Sequence, residues 1–369
     1  HMLNYYWTQR HYDWIIIRGI EVVNELYRVN ENIFDKLMTY VTGITFEDQI
    51  IPEEEWKEKY KIFKRSAHLL CQTDEMKKFI TKKFPDLDTK IITLNPMVPN
   101  TTKDFNEVFV KKERYNKLCY VGKFHHDWNS VTMIVGFREI KETHPDAKFL
   151  IAGDKFTNHP EYPNYNKELK YLLTNTENLT WFGALSREDS RALIAEGDIG
   201  ISWRAEKMNT SLELSVKLLE YGTFGKAVVM NRTPMHEKIF GEDYPLYVGS
   251  LQEFEDAINA VIEDPSLYYK AAKRMFEASQ KFTYTETLNK LTPYLFESKL
   301  DEFLRGNGYE IKEKWSTTEK SNTLIIDKNG REFVLSKIEL CEPANLIEYL
   351  NLVSGIGKII NYYQENRTL

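Results

Sequence analysis

A hydroxyl, an ammonium and a carboxylate occur close together in the segment S-V-K-L-L-E, at Ser215, Lys217 and Glu220. The polar start and the apolar run predict a helix that begins at Ser215. The first N–H groups of a helix lack carbonyl partners and attract anions, and Lys217 adds a cation beside them. Glu220, about one turn further along, can accept hydrogen bonds from a ribose diol. The segment therefore predicts a nucleotide-sugar site. A plain N-cap at Ser215 and a surface carboxylate at Glu220 are the alternatives.

The predicted helix leads through a small-residue turn, Gly222–Gly225, into a β-branched strand, Ala227–Met230. Upstream, other predicted strands also end in a glycine before a helix follows, at Gly122, Gly153 and Gly183. Such repeated units are typical of a doubly wound parallel sheet, whose ligand crevice lies at the carboxyl ends of its strands. We therefore expect these glycines to lie on the same edge as the start of the helix.

Strands and helices also alternate over the first 100 residues, which predicts a second parallel sheet. Residues 95–100, with two prolines, then form a predicted interdomain loop. After Arg305 the pattern changes to short strands with a hairpin signal at Lys328-Asn329-Gly330 and a final helix at Pro343–Val353. We expect this region to be a small α+β appendage; a kinase-like pairing of Lys337 with Glu348 is the alternative. The predicted domains are residues 1–112, 113–305 and 306–369.

Composition argues against several classes of protein. Lys and Arg number 49 and Asp and Glu 55, and the net charge of −6 disfavours a general nucleic-acid binder. Cys71, Cys119 and Cys341 lack C-x-x-C spacing, so neither a disulfide framework nor a thiolate metal site is expected, and a reducing cytoplasm fits. No apolar run approaches the roughly 20 residues that span a bilayer. Any membrane contact would be peripheral, through the basic and aromatic helix 57–65, although a solvated helix face is the simpler interpretation.

Five blocks of sequence, in this order, resemble segments of the retaining glycosyltransferases of family 4: Y-V-G-K at Tyr120–Lys123, F-L-I-A-G-D at Phe149–Asp154, L-T-W-F-G at Leu179–Gly183, D-I-G-I-S at Asp198–Ser202, and S-V-K-L-L-E-Y-G-T-F-G-K-A-V-V at Ser215–Val229. The resemblance implies the GT-B architecture, an α/β fold in which two Rossmann-like domains with doubly wound parallel sheets face each other across a cleft. Residues 13–100 resemble only the second half of the family's N-terminal, acceptor-binding domain. An incomplete N-terminal domain is therefore expected, which an upstream segment or a partner chain would complete.

The resemblance also implies roles for individual residues. Glu220 matches the family's second motif glutamate, which binds the nucleotide ribose. The first motif glutamate normally lies eight positions earlier, where this chain has Leu212, and Glu213 is one residue later. Either the loop shifts by one residue or the sugar is contacted differently. Lys123 matches a basic residue that faces the diphosphate.

A second family lysine is replaced by Trp128 or Asn129, so Lys217, Ser215 and Arg204 are expected to share the phosphate charge. The predicted catalytic residues are Lys123, Glu213 and Arg204. The predicted donor-binding residues are Gly122, Ser215, Lys217, Leu218 and Glu220.

Residues of neighbouring loops are further candidates. Arg204 and Glu206 follow a predicted strand and would face the sugar, and Arg18 would face the acceptor or the donor. His125 and His126 could reach the cleft or lie in solvent. Because they have no Asp or Cys partner at ligand spacing and no D-x-D follows a strand, we expect metal-independent transfer with no metal site and no cofactor beyond the donor.

The predicted function is transfer of a sugar, with retention, from a UDP- or GDP-type donor to a saccharide or lipid-linked acceptor. The expected location is the cytoplasm, with the inner face of the membrane as one possibility. An epimerase or phosphorylase of the same architecture is an alternative. Another is a catalytically incomplete subunit that binds a nucleotide sugar or a partner chain as a scaffold.

Overall fold

The computed structural model describes Tyr12, residues 14–291, Tyr294 and Leu295, and the backbone of three strands further along the chain. The N-terminal part has a parallel four-stranded sheet in the order β1-β2-β3-β4. Its strands are β1 (Ile15–Arg18), β2 (Leu37–Tyr40), β3 (His68–Cys71) and β4 (Ile91–Thr93). The helices that connect them are α1 (Ile20–Val29), α2 (Glu53–Arg65) and α3 (Asp74–Lys83).

The second sheet is also parallel and has five strands in the order β7-β6-β5-β8-β9. They are β5 (Lys117–Val121), β6 (Lys148–Ala152), β7 (Leu179–Trp181), β8 (Ile199–Ser202) and β9 (Ala227–Met230). The helices of this domain are α4 (Ser130–Thr143), α5 (Tyr165–Asn175), α6 (Arg187–Glu196), α7 (Val216–Thr223), α8 (Pro234–Phe240), α9 (Leu251–Glu263) and α10 (Pro265–Ser279). These two parallel sheets confirm the predicted α/β fold.

The local chemistry explains where several helices begin. The hydroxyl of Ser186 accepts the N–H of Asp189 at 3.0 Å, which caps α6 as the sequence predicts. Thr73 caps α3 in the same way, accepting the N–H of Met76 at 3.1 Å. Acidic residues in the first turn of α3 and lysines in its last turn complement the helix dipole.

The basic and aromatic helix α2 buries two of its three aromatic rings, and Tyr60 is partly exposed. Trp56 and Phe63 are 6% and 0% exposed and belong to the core of the N-terminal domain. Lys57 and Lys59 form ion pairs with Glu54 and Glu55 of the same helix. Trp56 and Phe63 are therefore not available to a lipid surface, and membrane contact through this helix stays a prediction. In the part of the chain that the structure describes, no helix combines the length and the apolar character needed to cross a membrane.

One loop of the second domain is built into the core of the first. Leu212 is 3% exposed and packs in the N-terminal core. Its N–H donates to the carbonyl of Thr45 at 2.8 Å, and its carbonyl accepts the hydroxyl of Thr73 at 2.5 Å. Phe46 and Ser211 form an antiparallel bridge beside it. The loop between β8 and α7 therefore holds the two domains together.

The chain also returns to the N-terminal domain after α10. Residues 284–291 are helical, and Leu291 packs with Met38, Leu70 and Ile92 on the face of the N-terminal sheet. Lys290 donates to the Asn95 side chain at 2.8 Å. The segment after α10 thus contacts the N-terminal domain next to the predicted interdomain loop, residues 95–100.

Three strands of the C-terminal region are described by their backbone: β10 (Glu310–Glu313), β11 (Thr323–Lys328) and β12 (Arg331–Ser336). They form an antiparallel sheet in the order β10-β11-β12. The pairing of β11 with β12 confirms the predicted hairpin. The predicted helix at Pro343–Val353 and the pairing of Lys337 with Glu348 lie outside the described residues.

Candidate functional site

The glycine loops meet at the carboxyl edge of the second sheet. The N–H of Gly122 donates to the carbonyl of Ala152 at 2.9 Å, and the N–H of Gly153 donates to that of Gly183 at 2.7 Å. Gly153 has φ 149°, and a Cβ there would stand 1.9 Å from the Gly122 carbonyl oxygen. Only glycine therefore allows the two loops to pack this closely. A cavity of about 220 Å³ opens on this edge, lined by Val121, Gly122, Lys123, Ala152, Gly153, Asp154, Lys155, Ala184, Leu185 and Ser190.

Lys217, in the first turn of α7, reaches back over the end of β5. Its Nζ donates to the Tyr120 hydroxyl at 3.2 Å and stands 4.3 Å from the centroid of the Tyr120 ring. A Cβ at residue 122 would lie 2.1 Å from this Nζ, so Gly122 provides the space that the ammonium occupies. Burial, with a smaller effect of Arg204, lowers the pKa of Lys217 to about 7. The site therefore holds an amine whose protonated, charged form a bound anion would stabilise.

Glu220 lies one turn further along α7 and faces the basic side of α6. Burial raises the pKa of its carboxyl group, and the charges of Arg187, Arg191 and Lys217 partly oppose that rise. A half-buried carboxylate beside a cation can accept hydrogen bonds from a diol. Leu218, by contrast, is fully buried in the core, and its N–H donates to the Ser215 carbonyl at 3.2 Å. The Leu218 side chain therefore faces the core and not the cleft, and a donor contact at this residue stays a prediction.

Arg204 and Glu213 line a small polar pocket next to the start of α7, together with Ser215. The backbone N–H and C=O of Arg204 both bond to the side chain of Asn231, each at 2.7 Å, which fixes the loop after β8. Burial raises the pKa of Glu213, opposed by the charges of Arg18 and Arg204. Arg18 comes from the end of β1, so a residue of the N-terminal domain acts on this carboxylate. Glu213, and not Leu212, is the residue that lies in the cleft.

Trp128 stands where the family resemblance leads one to expect a lysine. Its ring centroid lies 5.5 Å from Nζ of Lys217 and 6.0 Å from Cζ of Arg204. Two basic side chains, one from helix α7 and one from the loop after β8, thus approach this aromatic ring. Ser215 occupies the N-cap position of α7, and its side chain makes no capping hydrogen bond. Glu206 is exposed at the start of a short 3₁₀ turn.

Sequence reasoning missed His236 and Asn231, which follow β9 and line the same polar pocket. The His236 Nδ1 lies 2.7 Å from the carbonyl oxygen of Asn231, and this contact places the proton on Nδ1. Burial lowers the pKa of His236 to about 4, so the ring is neutral. Leu185, in the cavity beside the glycine loops, was also missed. These three residues follow the carboxyl end of a strand directly or closely, and that position in the sequence could have indicated that they line the ligand crevice.

The paired histidines lie beside this edge. Nδ1 of His125 accepts the N–H of Asp127 at 3.0 Å, and His126 stacks on Tyr162 with centroids 4.0 Å apart. Ligand atoms of His126, Asp127 and His159 all lie within 4.8 Å of one another. The expectation that these histidines lack an Asp partner is therefore wrong, since folding brings in His159 and aligns Asp127. Metal-independent transfer stays a prediction.

Comparison with known proteins gives this arrangement a context. Residues 101–282 match the family model described as glycosyl transferases group 1. No curated protein matches the chain in sequence.

Several solved structures share the fold. An S. aureus TarM mutant in complex with fondaparinux, alpha-GlcNAc-glycerol and UDP is 13% identical with a TM-score of 0.57, covering 79% of this chain and 58% of TarM. Anabaena HepE in complex with UDP and glucose is 15% identical with a TM-score of 0.56, covering 79% of this chain and 80% of HepE. Sucrose-phosphate synthase from Thermosynechococcus elongatus is 11% identical with a TM-score of 0.59, covering 81% of this chain and 76% of that enzyme. The chain therefore spans 58% of the length of TarM, and it has the GT-B fold.

Proposed function

We propose that this chain, whose residues 101–282 match the glycosyl transferases group 1 family, transfers a sugar from a nucleoside diphosphate to a saccharide or lipid-linked acceptor with retention of configuration. UDP and GDP are the expected types of nucleotide. UDP is present in the TarM and HepE complexes, which supports a UDP-sugar as the first donor to test. We place the reaction in the cytoplasm.

The convergence of charges on the carboxyl edge of the second sheet is the observation that carries this proposal. Lys217 lies over Gly122, and Glu220 follows it on α7. Lys123 lines the adjoining cavity. We assign the ribose to Glu220, the diphosphate to Lys217, Lys123 and the start of α7 at Ser215, and the base to the cavity beside Leu185.

The chemistry requires fixed cations, because the nucleoside diphosphate gains negative charge as its bond to the sugar breaks. Lys217 and Arg204 are held by aromatic and backbone contacts before the donor arrives, so little reorganisation is needed. We assign the sugar to Glu213, because this carboxylate lines the polar pocket next to Ser215 and the start of α7. In a retaining transferase we expect the acceptor to attack the face from which the diphosphate leaves, so a pair of carboxylates at hydrolase spacing is not required.

The acceptor side is assigned to the N-terminal domain. Arg18 at the end of β1 is close enough for its charge to oppose the rise in the pKa of Glu213 that burial causes, so this strand end faces the donor pocket. An acceptor bound there would approach the sugar from across the cleft.

A donor-binding experiment tests the proposal. The full chain is screened by thermal shift against UDP-, GDP-, ADP- and dTDP-sugars, and the best donor is then used in a transfer assay with candidate acceptors. A donor at 100 times its dissociation constant should stabilise the fold by about 2.7 kcal/mol. The variants Glu220→Gln and Lys217→Met should lose this stabilisation, and Lys148→Met, an exposed lysine at the opposite edge of the same sheet, should keep it. Full stabilisation of both site variants would contradict the assignment.

The open edge of the N-terminal sheet favours a second candidate function. Within the described residues β1 pairs only with β2, and Ile16 on β1 is 50% exposed. A subunit that binds the donor but needs an upstream segment or a partner chain for transfer would have such an edge. Donor binding without transfer or hydrolysis, restored by adding that chain, would favour this candidate over the first.

A further inference from the structure

We infer that His126, Asp127 and His159 form a binding site for a late divalent transition ion, with Zn²⁺ as the best fit. The three residues come from the loop after β5 and the loop after β6. They lie beside the proposed donor pocket but belong to none of its assigned contacts. The inference concerns metal binding alone and does not depend on the proposed transferase activity.

The spacing of the candidate ligand atoms is close to what zinc requires. Ligands bonded to zinc at about 2.1 Å in tetrahedral geometry stand about 3.4 Å apart. Nδ1 of His126 and Oδ1 of Asp127 are 3.3 Å apart. Ligand atoms of all three residues, including His159, lie within 4.8 Å of one another, so a ring rotation that moves one ligand atom by roughly 1.4 Å would complete the set.

The protein already restrains two of these side chains. His126 stacks on Tyr162 at an interplanar angle of 11°, which fixes the plane of its ring. Asp127 is 9% exposed, and its backbone carbonyl accepts the N–H of Ala205 at 2.8 Å. Because these groups are held before an ion arrives, ordering them on binding costs little entropy. His159 lies on a loop and can adjust.

The chemical nature of the three ligand atoms determines which class of metal ion the site prefers. Two imidazoles and one carboxylate suit Zn²⁺ and its neighbours Co²⁺, Ni²⁺ and Cu²⁺ better than Mg²⁺ or Ca²⁺, which prefer oxygen ligands. His125 does not belong to this cluster of ligand atoms, and in His159 the Nδ1 accepts the Glu161 N–H at 3.3 Å, which leaves Nε2 of His159 to face the ion. Water would therefore occupy the fourth position.

Lys207 competes for the same carboxylate. Its Nζ lies 2.8 Å from Oδ1 of Asp127 while its side chain is 59% exposed. Because its side chain is exposed, Lys207 can move away from Asp127 into the solvent when a metal ion binds. We therefore expect that removing the Lys207 ammonium leaves the affinity for zinc unchanged or increases it.

Isothermal titration of the chelator-treated full chain with ZnCl₂ tests the inference, with no nucleotide sugar present. We expect saturable 1:1 binding that weakens at least about tenfold in His159→Asn and in Asp127→Asn, because each removes one ligand. His144→Asn, which changes a histidine at the opposite edge of the domain, should bind like the parent chain, and Lys207→Ala should bind at least as tightly. The His159 variant is decisive if the Asp127 variant folds poorly.

Two outcomes would overturn the inference. One is equal zinc binding by the parent chain and His159→Asn, or no saturable binding at millimolar zinc. The other is a thiolate-to-metal absorption band when Co²⁺ replaces Zn²⁺, since that would place the ion on a cysteine. A Co²⁺ spectrum typical of nitrogen and oxygen ligands, lost in His159→Asn, would support the site.

Discussion

The side chain of Lys217 lies in a setting that disfavours its positive charge. Burial and the neighbouring Arg204 lower its pKa to about 7, against an ordinary value of 10.5. A diphosphate placed beside the ammonium would reverse this shift, because opposite charges favour the ionised form. Donor binding should therefore be accompanied by uptake of a proton at neutral pH.

This coupling gives donor affinity a definite pH dependence. Below the pKa of about 7 the ammonium is present before binding. Above it the free protein must first bind a proton. The dissociation constant for the donor should therefore rise by about tenfold per pH unit above that value. Titration calorimetry across pH 6 to 9 measures it.

The variant Lys217→Arg provides the control for this prediction. A guanidinium stays charged throughout this range, so the variant should show a nearly flat dependence of affinity on pH. A flat dependence in the parent chain would show instead that Lys217 has the same protonation state in the free and the donor-bound protein across this pH range.

At the scale of elements, two glycines of the same edge should respond differently to substitution. A Cβ at residue 122 would meet the mobile end of Lys217, whereas at residue 153 it would meet the carbonyl oxygen of Gly122, which is backbone. Gly122→Ala should thus displace the lysine and weaken donor binding with little loss of stability.

Gly153→Ala should lower the free energy of unfolding by about 1–3 kcal/mol, because the neighbouring loop must shift and the backbone is strained. Urea denaturation and donor titration of both variants distinguish the two effects. Equal loss of stability in both variants would mean that Lys217 cannot move aside.

The sequence predicted elements better than it predicted contacts. Strand–glycine–helix units define a parallel sheet locally, so β5 to β9 and the helix of Glu220 were predictable. The burial of the Leu218 side chain was not predicted, because its place on the inner side of α7 depends on packing against the rest of the domain. His159 could not be connected with His126 and Asp127, since it follows a different strand and meets them only through the order of strands in the sheet.

At the scale of the whole molecule, Leu212 holds the two domains together. It is 3% exposed in the N-terminal core although it belongs to the loop between β8 and α7. Leu212→Ala should cost about 2–5 kcal/mol in the free energy of unfolding, measured by urea denaturation, because it leaves a cavity at a buried contact. The half-exposed Leu288, changed in the same way, should cost much less. A loss below about 1 kcal/mol for Leu212→Ala would show that the domains do not depend on this contact.

The same loop is secured at both ends. Asn231 bonds to the backbone of Arg204 on one side, and Thr45 and Thr73 bond to Leu212 on the other. Glu213 is the next residue. A wide separation of the two domains would therefore displace the Glu213 carboxylate or remove Leu212 from the N-terminal core. We therefore expect nucleotides to enter and leave through a cleft that stays open, with little change in the distance between the domains. The X-ray scattering profile of the protein should hardly change when a nucleotide is added.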